Sequence, residues 1–385
     1  MIPAAGFLDA CHAQGFRLVT GTPCSYLQPL INAAIGDARF LFRDAVNEGD
    51  AVALAAGAAL TGTRSLVMFQ NSGLGNAVNA LTSLCHPFRV PVLLVVTHRG
   101  EPGGAADEPQ HELMGRITTA LLETMGVAWA HFPAEAGAAE PAVAAALAHM
   151  TSTGRPYALV MRQGAVAPHA LAQPRSLAPL GRREFSFTEN LTRPTPARAT
   201  RTAALQLIRA ARAPRGVLVA TTGHTGRELY ALGDDPWNLY LVGSMGSASA
   251  FGLGLALTSP GRPVTVIEGD GAVLMRLGNL ATLGAYGPAE LTHVVLDNEA
   301  HDSTGGQATV SRGVMLAAVA RACGYADAVS TDEPDTLAAA LRAPAAAGPR
   351  FVHFRLRPGA PEKLPRPKVT PAEVFVRLQH WLAQS

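Results

Sequence analysis

Short runs of β-branched and aliphatic residues recur along the chain, and each is followed by an alanine-rich stretch with helical spacing. In the first half the apolar runs fall near Phe16–Thr20, Phe40–Arg43, Ser65–Phe69, Pro91–Val96, Trp129–Phe132 and Tyr157–Arg162. In the second half they fall near Gly216–Thr221, Leu239–Val242, Val264–Glu268, His293–Asp297, Asp327–Ser330 and Phe351–Leu356. Strand-length runs alternating with helical stretches predict a parallel sheet covered by helices. Between the halves, Pro174, Pro179, Pro194 and Pro196 punctuate a polar, arginine-bearing stretch without periodicity, which reads as a linker. The pattern therefore predicts an α/β chain of two doubly wound parallel-sheet domains, over 1–172 and 198–385, joined by a linker over 173–197 with no middle domain. Ligands of such sheets sit outside the carboxyl ends of the strands. The residues just after each apolar run are thus the candidates for chemistry.

Composition narrows the function classes. Among 385 residues, 48% are hydrophobic and 16% charged, enough for two sizeable cores and unlike a disordered or fibrous chain. The formal charge, 31 − 29 = +2, comes without a basic stripe interleaved with aromatics, so nucleic acid is not an expected partner. Cys11, Cys24, Cys85 and Cys323 are scattered and form no CxxC pair, which fits a reducing compartment. The N-terminal stretch Met1–Ala13 reads as an amphipathic helix and not as a signal peptide. No apolar run approaches the ~20 residues that span a bilayer. A cytoplasmic protein with no membrane partner is the expectation.

The sharpest local signal follows the run Val264–Glu268. Gly269-Asp270-Gly271-Ala272 opens a helix, and the next run, His293–Asp297, ends in Asn298, 28 residues after Asp270. If these strands are neighbours, both side-chain oxygens can point into one crevice. Mg²⁺ takes about six oxygens and is usually held by one or two carboxylates plus substrate phosphates. Asp270, the Asn298 amide oxygen and the Ala300 carbonyl would leave room for phosphate oxygens and a water. Gly271 permits close backbone approach, and the helix that follows offers unpaired N–H groups to an anion. A GDG triplet alone makes ordinary turns as well. Two further features add to it: Gly243-Ser244-Met245-Gly246 after the run Leu239–Val242, and Asn47-Glu48-Gly49-Asp50-Ala51 after Phe40–Arg43. Alone, Met245 reads as core filler and Glu48 as a helix N-terminal acid.

Taken together, these motifs resemble the signature of the thiamine-diphosphate-dependent decarboxylase superfamily. That resemblance implies thiamine diphosphate and Mg²⁺ as cofactors, with Asp270, Asn298 and the Ala300 carbonyl on the metal. It implies Met245 as the apolar prop of the bent cofactor. It implies a cofactor pocket from Thr222, Gly223, Gly243, Ser244, Gly269, Gly271, Ala272 and His301. Glu48 would hydrogen-bond N1′ of the aminopyrimidine, since a carboxyl in an apolar site tends to keep a proton to donate. Glu48, His301 and Cys24 are the catalytic candidates. In the superfamily the Glu48-type half and the Asp270-type half meet across a subunit interface, which implies a homodimer or a dimer of dimers.

Within the superfamily the two-domain build is similar to phosphonopyruvate decarboxylases and their sulfopyruvate-decarboxylating relatives. Gly21-Thr22-Pro23-Cys24-Ser25, Gln70-Asn71-Ser72-Gly73-Leu74-Gly75-Asn76, Arg99-Gly100-Glu101-Pro102-Gly103, Asp107-Glu108-Pro109-Gln110-His111 and His301-Asp302-Ser303-Thr304-Gly305-Gly306-Gln307 carry that likeness. It implies a small anionic 2-oxo acid as substrate. An anionic head group calls for arginine's fork and N–H donors, so Cys24, Ser25, Asn71, His98, Arg99, Gln110 and His111 are the substrate candidates. The stretch 303–307 reads as a loop closing over the site or as a plain polar turn. Cys24 stands where many relatives have Asp, Ser247 where they have His, and Ala80 where proline is frequent; Cys24 and Ser247 are expected to line the pocket. A carboligase would use the same cofactor residues. An oxidoreductase would need GxGxxG after the first strand of a half, and neither half has it.

Overall fold

The computed structural model of the protein describes residues 1–172, 187–344 and 346–384. The chain divides into two compact units, Met1–Leu177 and Ala178–Ser385. Pro174 and Pro179, assigned to the linker above, lie outside the described residues.

The first unit is a six-stranded sheet built from β1 (Phe16–Gly21), β2 (Leu41–Asp44), β3 (Arg64–Phe69), β4 (Leu93–Thr97), β5 (Ala128–His131) and β6 (Tyr157–Met161). Its strand order is β2-β1-β3-β4-β6-β5, and every pairing is parallel. The central strand β4, Leu-Leu-Val-Val-Thr, is buried on both faces and so reads as a continuous apolar run. The helix Glu48–Ala59 carries the chain from β2 over β1 to β3. Its alanines let it pack closely on β1 and β3, and ten of its twelve residues are buried. This crossover puts the topological switch of the unit between β1 and β3.

The second unit holds β7 (Thr188–Asn190), β8 (Val217–Ala220), β9 (Asn238–Tyr240), β10 (Val264–Gly269), β11 (Leu291–Asp297), a hairpin of β12 (Ala300–His301) and β13 (Gln307–Ala308), then β14 (Asp327–Thr331) and β15 (Arg350–Arg355). The large sheet runs β7-β14-β15-β11-β10-β8-β9, again all parallel. The chain leaves β8 for the edge strand β9 and returns to β10, so the switch lies between β8 and β10. The helix Ala248–Thr258, buried from Ala248 to Ala256, fills the layer over β10.

Every apolar run read from the sequence is a strand, with ends shifted by one or two residues. Two corrections concern polar segments. The stretch assigned to a linker contains β7, which pairs with β14, and its next residues are anchored as well. The backbone N–H groups of Thr192 and Arg193 each donate to the buried Asp332 carboxylate at 3.0 Å. Backbone pairing and two acids, Asp332 and Glu333, hold this segment, so no apolar periodicity marks it. The stretch after Asn298 is a hairpin tied by Thr309 N to Glu299 O and Gly306 N to His301 O, both 3.0 Å, which agrees with the polar-turn reading of its tip and not with an open loop. No described helix is long and apolar enough to cross a membrane.

Candidate active site

In the first unit, the strand order places the ends of β2, β1, β3 and β4 side by side, and the candidates follow those ends. Asn47 caps the helix after β2 by accepting from Gly49 N at 2.8 Å, which fixes Glu48 at its first turn. Both Glu48 oxygens accept hydrogen bonds from neutral donors: Thr22 Oγ1 after β1 at 3.0 Å, and Asn76 Nδ2 after β3 at 2.7 Å. Glu48 is half-buried, where a fully apolar enclosure was expected. Gly73 makes room for it, since a Cβ there would stand 2.4 Å from Glu48 Cγ. Cys24 is buried, with Sγ 3.5 Å from Gln70 Oε1 and 3.8 Å from Thr97 Oγ1.

At the end of β4, Arg99 lays Nε and Nη2 against the two Asp107 oxygens, with Nε–Oδ2 at 2.7 Å. Its guanidinium lies 4.6 Å from the Tyr26 ring centroid, and Nη1 donates to Ser25 Oγ at 3.2 Å. The Arg99 hydrogen bonds hold the Asp107 carboxyl well below the usual carboxylate range, overcoming the opposite effect of burial. The remaining Nη1–Nη2 edge of the fork is the one available to a second anion.

Two substrate candidates are turned to architecture. Asn71 is fully buried, and its Nδ2 donates to the Arg99 carbonyl and to Thr118 Oγ1, each at 2.9 Å. His98 is buried with Nε2 at 2.8 Å from the Gly115 carbonyl, so it ties β4 to the helix Glu112–Thr124. Both sit at a strand end as expected; Asn71 Nδ2 and His98 Nε2 serve the packing beneath Arg99, while Asn71 Oδ1 and His98 Nδ1 are buried without a hydrogen-bond partner among the described residues. His111 is buried, with Nδ1 lacking a hydrogen-bond partner, and Gln110 beside it is exposed.

In the second unit, β10 and β11 are parallel neighbours with Gly269 opposite Leu296, which brings Asp270 and Asn298 to adjoining strand ends. They line a crevice of ≈ 180 Å³ with Thr222, Gly223, Met245, Gly269, Gly271, Ala272, Ala300 and His301, which gathers most of the cofactor candidates. Gly223 holds φ +87°, ψ −146°, a conformation open to glycine, where it starts the helix His224–Ala231. Gly271 is required by contact: a Cβ would stand 2.6 Å from His301 Cε1 and 3.2 Å from Met245 Cε. The helix after Asp270 is short, Asp270–Met275. Ser244 and Glu299, at φ +50° and +60°, are non-glycine residues in left-handed backbone at two of these strand ends.

Asp270 is buried, and Thr309 Oγ1 donates to its Oδ2. Burial, and secondarily the nearby Asp297 charge, raises the Asp270 pKa above the usual value. Burial would raise Asp297 too, but His353 at 2.8 Å and the N–H and O–H donors of Glu299 and Ser311 bring it below. The two adjoining acids thus ask for a cation on the Asp270 side. Ser244, Ser247 and Gly243 do not line the crevice. Ser244 and Ser247 are buried with their hydroxyls 2.7 Å apart, so the expectation that Ser247 faces the pocket is wrong. Arg201, Thr221, His224, Thr225, Asp302 and Ser303 also line it. Asp302 and Ser303 lie in a string already singled out; nothing in the sequence points to Arg201, 97 residues from Asn298.

Residues 3–119 match the family described as thiamine pyrophosphate enzyme, N-terminal TPP binding domain, and residues 222–354 the thiamine pyrophosphate enzyme, C-terminal TPP binding domain. The chain is 46% identical over 98% of its length to a phosphonopyruvate decarboxylase of Streptomyces viridochromogenes, of which it covers 94%. The chain belongs to the thiamine pyrophosphate enzyme family. It is also 28% identical over 99% of its length to a sulfopyruvate decarboxylase of Methanosarcina acetivorans, covering 97% of that protein. Benzoylformate decarboxylase of Polynucleobacter necessarius shares the fold, with a TM-score of 0.70 at 13% identity, over 95% of this chain and 100% of that one. An N-terminal and a C-terminal cofactor-binding domain are present in this one chain, in that order.

Proposed function

We propose that this chain decarboxylates 3-phosphonopyruvate to phosphonoacetaldehyde and CO₂, using thiamine diphosphate and Mg²⁺. The observation that carries the substrate is the 46% identity along nearly the whole length of a phosphonopyruvate decarboxylase, with the Arg99 fork at a strand end. The 28% identity to a sulfopyruvate decarboxylase supports a second reading, in which the acid carries a sulfonate.

The residues fit the cofactor. Asp270, the Asn298 amide and the Ala300 carbonyl are all oxygen donors, the set a hard cation takes. Asp270 is an acid raised by burial, which a cation would compensate. Gly223, Gly269 and Gly271 leave the crevice without side chains where a diphosphate would approach. Bound thiamine diphosphate supplies a carbon acid and a sink for the electron pair released when the bond to CO₂ breaks.

The chain's own residues then bind, orient and move protons. Glu48, held by Thr22 and Asn76, would offer its carboxyl to the cofactor's pyrimidine nitrogen. Met245, against Gly271, would give the bound cofactor an apolar support, and His301 beside it would be placed to hold or move a proton. Arg99, locked by Asp107 and supported by Ser25, takes the phosphonate oxygens on its free edge. Cys24, packed against Gln70 and Thr97, closes the floor near that edge. Val46, two residues before Glu48, and Met275, Val310 and Met315 in the second unit are exposed apolar side chains. They support a homodimer, or a dimer of dimers, whose partner subunit covers them. The four scattered, free cysteines support a cytoplasmic location.

The test is a panel of phosphonopyruvate, sulfopyruvate and pyruvate, assayed for CO₂ and aldehyde with cofactor and Mg²⁺ added to stripped protein. Phosphonopyruvate should give the highest kcat/KM. A preference for sulfopyruvate hands the substrate to the second reading, and light scattering at the 40.0 kDa chain mass would remove the dimer.

A further inference from the structure

Asn298 can present either end of its amide to the crevice, and only the oxygen can bind a metal ion. Its Nδ2 donates to Asp302 Oδ2 at 2.6 Å, which sets the flip and leaves Oδ1 for the cation. Asp302 is held in turn. Arg201 Nη2 donates to the same oxygen at 2.6 Å, and Gly359 N lies 3.2 and 3.3 Å from the two carboxylate oxygens. The side chains of Arg201 and Asp302 are only 7% and 9% exposed, so water competes little for these bonds. Arg201 is itself fixed from behind: Nη1 donates to Glu228 Oε1 at 2.7 Å, and Thr202 Oγ1 holds Glu228 Oε2 at 2.7 Å.

We propose that Asp302, clamped by Arg201, is a positioning residue that holds the Asn298 amide oxygen on the divalent cation. The inference rests on Asp270 and Asn298 being the metal site. Both Asp302 oxygens are engaged in support, Oδ2 by Arg201 and Asn298 and Oδ1 by Gly359 N, which assigns the carboxylate to holding Asn298. Without Asp302 the amide can turn over and present Nδ2 to the cation. Outer partners that orient metal ligands are commonly worth about 10–100-fold in metal affinity, and a loss in that range is expected for Asp302→Ala.

The probe is Mn²⁺ titrated into stripped protein with thiamine diphosphate, with free Mn²⁺ read by electron paramagnetic resonance and folding by circular dichroism. Asn298→Asp would place a carboxylate oxygen against Asp302 Oδ2 and should weaken Mn²⁺ binding despite the added charge. Asp302→Asn can keep its amide oxygen toward both Asn298 Nδ2 and Arg201 Nη2, so it should retain most of the Mn²⁺ affinity that Asp302→Ala loses. Asn298→Asp carries the test even where Asp302→Ala fails to fold, since without the Asp302 contact the added charge would tighten Mn²⁺ binding. Asp302→Ala that folds and binds Mn²⁺ like wild type overturns the proposal. So does an Asn298→Asp that binds Mn²⁺ more tightly than wild type, or an Asp302→Ala that loses binding as completely as Asp270→Ala, which would make Asp302 a ligand. Asp270→Ala that binds Mn²⁺ normally removes the metal site itself, and separates that failure from failure of the positioning role.

Discussion

Replacing Arg99 by alanine removes a guanidinium whose Nε and Nη2 are spent on Asp107, and whose outer Nη1–Nη2 edge faces away from that carboxylate. A phosphonate seated on that edge accepts two charge-assisted hydrogen bonds, each worth about 1.5–3 kcal/mol when sheltered from water. The Arg99 side chain is 16% exposed, so the lower figure applies to each bond, about 3 kcal/mol together. At about 1.4 kcal/mol per decade this is roughly a hundredfold loss in kcat/KM. Pyruvate has no anionic head, never gains those bonds, and should hardly respond. The assay is kcat/KM for phosphonopyruvate, sulfopyruvate and pyruvate on wild type, Arg99→Ala and Asp107→Asn. Asp107→Asn keeps the cation but loosens its clamp, so its loss should be smaller and also confined to the two anionic-headed acids. Equal losses on all three substrates would refute the reasoning and place Arg99 in the packing of its loop.

The same ion pair sets a pH dependence. The Asp107 pKa is lowered in the folded chain, so its contribution is complete above the unfolded value near 4 and fades as pH falls further. Thermal stability of Asp107→Asn relative to wild type should therefore be constant from about pH 5 to 8 and converge on wild type in more acid solution; a gap widening toward acid would reverse the sign. Gly73→Ala is compatible with the backbone, φ −68° and ψ −13°, yet its Cβ would stand 2.4 Å from Glu48 Cγ. It should fold with near wild-type circular dichroism and lose most of its turnover; normal turnover would show that the Glu48 position is not critical. Glu48→Gln should retain thiamine diphosphate affinity by fluorescence titration and lose about 10²- to 10⁴-fold in kcat; a near-normal rate would leave Glu48 a helix-end acid.

What could be read from residue order follows the physics of each feature. β4 announces itself because a strand buried on both faces reads as a continuous apolar run, and Asp270 and Asn298 because they follow two β-branched, aliphatic-rich runs, β10 and β11. β7 and the β12–β13 hairpin went unread because backbone bonds and acids such as Asp332 hold them, with no side-chain periodicity. Ser247 was misplaced for a related reason. A serine after a strand end suits a ligand or a neighbouring hydroxyl equally, and here it is paired to Ser244.

Asn71, His98 and Asn298 show where sequence reasoning stops. All three are polar residues following parallel strands, the placement that marks a ligand site, and composition cannot rank them. Their hydrogen-bond partners separate them. Asn71 spends its amide nitrogen on a carbonyl and a hydroxyl, and His98 spends Nε2 on a carbonyl, while Asn71 Oδ1 and His98 Nδ1 are buried without a hydrogen-bond partner among the described residues. Asn298 spends only its nitrogen, on an acid that is itself bound to Arg201 from a distant helix, and stands at the crevice with its oxygen uncommitted to that acid. A ligand-facing residue is one whose support consumes one end while the other end opens on a crevice, as Asn298 does and the two buried residues do not. That criterion needs the partner as well as the residue, and Arg201 becomes part of the site only once the fold has brought it across 97 positions of sequence.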